Sequence, residues 1–134
     1  MKTNIFKSVS LFAVVIAMIS FTANPIKKKT LNTKESKIEW EGEKLTGSHE
    51  GTIMFKEGYL DMDGDKITGG EFIVDMTSIV ATDLEGEGKQ KLEGHLKSDD
   101  FFGVEKYPTA TLKFTKVKSV SKNAYKVTGD ITIK

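Results

Sequence analysis

Cysteine is absent from the 134 residues, proline and histidine each occur twice, and tryptophan occurs once. Without cysteine there is no disulfide and no lipoprotein anchor at a signal-peptide cysteine, so an exported form must be held together by its core alone. Two histidines, His49 and His95, do not make a zinc site by themselves. Charge of one sign is also lacking: 20 Lys and Arg stand against 19 Asp and Glu, a formal net charge of +1. Such a balance offers no basic excess to a phosphate backbone, and nucleic-acid binding is not expected.

Catalytic patterns are missing as well. A nucleophile would have to be Ser or Thr with one of two histidines as base, and G-x-S-x-G does not occur. His49, between Ser48 and Glu50, reads first as a hydrogen-bonding barrel residue, and His95 has the same reading beside a possible head-group contact. Asp61-Met62-Asp63-Gly64-Asp65 has acids at alternate positions, as a calcium loop does. Lys66 stands where the obligatory glycine belongs, however, and Phe72 where the bidentate Glu belongs, so a tight hairpin turn is the simpler reading. Gly86-Glu87-Gly88-Lys89 lacks the further glycine and hydroxyl residue of a phosphate loop.

The one long apolar run lies at the start. Lys2 and Lys7 precede a nearly unbroken apolar stretch from Val9 to Phe21, which predicts a secretory signal peptide over residues 1–23 and a periplasmic or secreted product. The uncharged stretch between Lys7 and Lys27 is 19 residues, so an uncleaved membrane anchor is the alternative. Residues 24–35, with Lys27, Lys28, Lys29 and Lys34 among Thr and Asn, read as a solvated linker.

From Ser36 the dominant period is two. Ile38 and Trp40, Ile53 and Phe55, Leu60 and Met62, Phe72, Val74 and Met76, and Ala110, Leu112 and Phe114 each alternate with residues of the opposite face. Tyr125, Val127, Gly129, Ile131 and Ile133 do the same at the end. These six short segments, separated by turn signals, predict an all-β, antiparallel sheet curling into a barrel over residues 36–134. Glu85 to Lys97 breaks the period and predicts a turn or two of helix, with Leu92, His95 and Leu96 on its inner face. After it come Phe101 and Phe102, expected on opposite sides of an extended chain, and Tyr107-Pro108, which fixes an extended entry to a strand at Thr109.

Three segments carry a family resemblance: Gly47-Ser48-His49-Glu50-Gly51, the run His95 to Pro108 with its Phe101-Phe102 pair, and Val127-Thr128-Gly129-Asp130-Ile131-Thr132-Ile133-Lys134. In order and spacing from Ser36 to Lys134 the chain resembles the YceI-like, polyisoprenoid-binding proteins. The match is residue by residue at Trp40, His49, Gly51, Phe72, Asp75, Phe101, Phe102, Tyr107, Pro108 and Gly129. The resemblance implies a lipocalin-like barrel of eight strands, of which the last are expected to be missing after Lys134. It also implies an apolar tunnel holding a long isoprenoid chain, of quinone or polyprenyl type, with no catalysis, metal or cofactor.

Inward alternation then selects Trp40, His49, Phe55, Phe72, Val74, His95, Phe101, Phe102, Tyr107, Leu112 and Phe114 as expected ligand contacts, with the mouth near His95, Asp99 and Phe101-Phe102. Two other readings stay open: a structural or stress-related barrel filled by its own aromatics, and a hydrolase. An isoprenoid lipid is the expected partner, and a dimer is allowed.

Overall fold

The computed structural model describes residues 25–134. The expected signal peptide, residues 1–23, lies outside them. Six strands, β1 (Lys27–Thr30), β2 (Lys37–Lys44), β3 (Gly47–Asp63), β4 (Lys66–Ala81), β5 (Thr109–Ser121) and β6 (Ala124–Thr132), accompany one helix, α1 (Gly86–Lys97). All pairings are antiparallel, in the order β1-β3-β4-β5-β6, with β2 also on β3. Among the described residues the sheet does not close: β1 and β2 on one side and β6 on the other remain edges.

Asp63-Gly64-Asp65 makes the expected hairpin turn, and Gly64 has φ +58°, a conformation that favours glycine. The two segments expected around Ile53-Phe55 and Leu60-Met62 are a single 17-residue strand, β3. Gly58 does not end it, because the glycine is the register partner of Phe72 and makes room for that ring.

The segment 24–35 is not wholly a linker. Lys27–Thr30 pairs with Tyr59–Met62 on the stretch of β3 that β2, opposite Gly47–Met54, leaves uncovered. Backbone pairing supplies the driving force there, so hydrophobic alternation gave no forewarning. Lys28 Nζ also sits 3.8 Å from the Tyr59 ring centroid.

The register puts the apolar alternates on one face. Ile38 opposes Ile53, Trp40 opposes Gly51, Phe55 opposes Val74, Phe72 opposes Leu112 and Leu112 opposes Ile131. The helix covers one end of this face. The buried hydrophobics Ile53, Met76, Ile79, Leu96, Val104 and Ala110 form one cluster there, with Ile38, Trp40, Val74, Leu92 and Phe102 packed against it.

Candidate functional site

An apolar cleft opens between α1 and the covered end of the sheet. It has a volume of about 380 Å³, within the roughly 300–1,000 Å³ of small-molecule sites. Its walls come from β2 (Ile38, Trp40, Glu41, Gly42), β3 (Ile53), β4 (Val74, Met76, Ile79), Leu96 of α1, the following turn (Phe101, Phe102), Ala110 of β5, Ile131 of β6 and Ile133 just past it. Both edges of the sheet, through β2 and β6, thus contribute to one cleft.

Local chemistry explains how these side chains converge. In β4, Thr77 N–H and Oγ1–H both donate to Asp75 Oδ1 (3.0 and 2.6 Å), and Ser78 Oγ–H donates to the Asp75 carbonyl (2.6 Å). Met54 N–H in turn donates to Ser78 Oγ (2.8 Å). The register shifts at this point, and Met76 and Ile79, three apart, both end in the core.

The helix is fixed by its first turns: Lys89 Nζ donates to the Ala81 carbonyl (2.5 Å), while Ala81 N–H donates to Glu93 Oε1 (2.9 Å). Its inward residues are therefore Lys89, Leu92, Glu93 and Leu96. His95, expected on this face, is exposed instead, with its ring 5.7 Å from that of Phe101. The i+3 step from Leu92 was read as inward, but the Lys89 and Glu93 anchors rotate the helix past it.

Phe101 and Phe102 do not point to opposite sides. They lie in a turn, where Gly103 N–H donates to the Ser98 carbonyl (2.7 Å) and Gly103 has φ +56°. The two rings pack edge to face at 4.6 Å, and both line the cleft. Lys134 Nζ donates to the Asp99 carbonyl (2.5 Å) and the Phe101 carbonyl (3.1 Å), which joins the end of β6 to this turn.

Of the residues expected from sequence, Trp40, Val74, Phe101 and Phe102 line the cleft. Phe55, Phe72, Leu112 and Phe114 continue the same sheet face beyond it, half-buried, with successive ring centroids Phe55–Phe72 and Phe72–Phe114 each 5.6 Å apart. Tyr107 is exposed and lies outside the cleft walls. The aliphatic walls, Ile38, Ile53, Met76, Ile79, Leu96, Ala110, Ile131 and Ile133, were not selected. Ile38, Met76 and Ile131 each stand in one of the period-two series, so their inward facing is legible in the alternation.

Glycines opposite the aromatics set the floor. A Cβ at Gly51 would lie 2.5 Å from Trp40 Cζ2, and one at Gly58 2.4 Å from Phe72 Cδ1. A Cβ at Gly70 would lie 3.2 Å from Phe114 Cε2. Each large ring can thus lie across a neighbouring strand without displacing its backbone.

Polar groups are few. The Trp40 indole N–H is buried and has no acceptor among the described residues. His49 is elsewhere: its Nδ1–H donates to Asp83 Oδ2 (2.8 Å), and Glu50 N–H donates to Asp83 Oδ1 (3.2 Å). The bond from His49 holds the Asp83 carboxyl below the ordinary carboxylate range. This pair ties β3 to the segment leading into α1, and among the described residues no hydroxyl is hydrogen-bonded to His49. Nor is any group of three or more His, Asp or Glu arranged there to hold a metal.

The family model described as the YceI-like domain matches residues 30–134. No curated protein matches the chain. The chain belongs to the YceI-like family.

Proposed function

We propose that this YceI-like protein is a binding protein, not an enzyme, and that it holds a long isoprenoid lipid of quinone or polyprenyl type along its apolar sheet face. The observation that carries the reading is the cleft itself: almost wholly apolar walls, continued by half-buried Phe55, Phe72 and Phe114. The cleft accepts the first part of the chain, and the aromatic row accepts the remainder. Each CH₂ moved from water contributes about 0.8 kcal/mol, so several isoprene units supply ample driving force. Because that force has no direction, chain length is read loosely.

Head-group preference needs a polar contact, and the buried Trp40 N–H is the donor we assign to a head-group oxygen. A filled, structural barrel fits less well, since among the described residues no large side chain falls below 2 % exposure. The hydrolase reading lacks a nucleophile on His49. We assign the protein to the periplasm or exterior on the strength of Lys2, Lys7 and the apolar run that follows. Recovery of only the intact precursor in the cytosol after cell fractionation would contradict that assignment.

The test of the ligand is solvent extraction of the purified protein followed by mass spectrometry. A prenyl lipid in the extract, lost in Phe72→Asp and Phe114→Asp because each leaves a charge unpaired on the apolar face, is the expected result. An empty extract, with no binding of added prenyl lipid at micromolar concentration, overturns it.

A further inference from the structure

The hairpin made by β5 and β6 carries charge of one sign over its distal half. From Lys116 to Gly129 there are four lysines, Lys116, Lys118, Lys122 and Lys126, and no acid. Lys113, just before them, is of a different kind: its register partners are Glu71 on one side and Asp130 on the other. Beyond Lys113 the pairing of β5 with β4 ends, and the hairpin continues as a two-stranded ribbon.

A register shift between Phe114 and Lys116 then reorders the faces. Lys116 opposes Thr128, and Lys118 opposes Lys126 directly. All three lysines therefore share the face away from Phe114 and Gly129, and all are exposed. Like charges directly opposed on a ladder are unfavourable, and no carboxylate lies within salt-bridge distance of any of the four among the described residues. The neighbouring β3–β4 turn carries Asp63 and Asp65, yet neither pairs with the ribbon. At the tip, a second register shift between Ser119 and Ser121 leaves Val120 out of the ladder and 68 % exposed.

We propose that this ribbon is a docking surface for an anionic lipid bilayer: Lys116, Lys118, Lys122 and Lys126 meet the head groups, and Val120 enters the interface. The charge complementarity is local, since the whole chain is nearly neutral while the ribbon from Lys116 to Gly129 holds four lysines and no acid. Docking rests on these charges and not on the identity of the cleft's occupant.

The test is co-sedimentation of the full chain with vesicles of phosphatidylglycerol in phosphatidylcholine, against phosphatidylcholine alone. Lys2, Lys7 and Lys27 to Lys29, outside the ribbon, are common to every variant, so the change in the anionic increment relative to the parent is the quantity read. The parent should show that increment, and it should fall steeply with added salt. Each lysine near an anionic surface is worth about a fivefold change in partitioning, so Lys116→Gln/Lys118→Gln/Lys126→Gln should lose the increment by about a hundredfold. Lys37→Gln/Lys44→Gln/Lys91→Gln, with the same net charge, should retain most of it. Equal losses in the two triple variants, or none in the first, overturn the proposal. So does binding of the parent to heparin or RNA, lost in the first variant, while vesicle binding is unmoved.

Discussion

The two ends of the apolar face share a sequence pattern and differ in everything packing adds to it. At the α1 end, Ile53, Met76, Ile79, Leu96, Val104 and Ala110 are each at most 9 % exposed. At the other end Phe55, Phe72, Leu112 and Phe114 alternate with polar residues just as regularly, yet stay half-buried. The cover explains the difference: α1 and the Phe101-Phe102 turn arrive from outside the strand ladder and reach only one end. Burial is thus nonlocal, whereas facing is local. One end carries stability, and we assign capacity for an apolar chain to the other.

The largest expected effect separates the ends directly. Met76→Ala should cost about 2–5 kcal/mol in urea unfolding, as full burial beside a cleft implies. Phe114→Ala should cost only about 1–2 kcal/mol, because that ring is only partly buried and leaves no closed cavity when removed. Equal costs would mean that the two ends are packed alike.

A smaller effect concerns the glycine floor. Gly51→Ala puts a Cβ 1.9 Å from the Val80 carbonyl oxygen, a backbone atom that cannot rotate aside, and 2.5 Å from the Trp40 ring. Overpacking of this kind should cost about 1–3 kcal/mol and shift the tryptophan emission. Gly42→Ala, with nothing near its Cβ position, should leave both unchanged.

These residues also show how far the sequence could be read. The Asp63-Gly64 turn, the face shared by Phe72, Val74 and Met76, and the strand start after Pro108 follow from local chemistry and were legible. The position of Ile79 was not, because it depends on a bulge held by Asp75, Thr77 and Ser78. His95 failed because side chains of Lys89 and Glu93, bonded to the Ala81 backbone, set the helix rotation. Phe101 and Phe102 both line the cleft, but they share a side because Gly103 closes a turn where an extended chain was expected. The β1 strand left no hydrophobic signal at all.

The smallest effect lies at the His49–Asp83 pair, which ties β3 to the segment between β4 and α1. Because His49 lowers the Asp83 carboxyl below its unfolded range, the pair stabilises the fold above about pH 4. That contribution disappears as pH falls through the folded value. Asp83→Asn should therefore be less stable than the parent at neutral pH, with the gap closing in acid titration below about pH 4. A gap that persists there would assign the loss to packing instead of charge.

Trp40 is the sole tryptophan and lines the cleft, so its fluorescence reports on the occupant directly. Titration with a quinone bearing several isoprene units should quench it saturably at micromolar concentration or below. The same quinone head without a tail should give only weak, linear quenching, and Phe72→Asp should reduce the tailed compound to that level. Linear quenching by both compounds, indifferent to Phe72→Asp, would contradict the account.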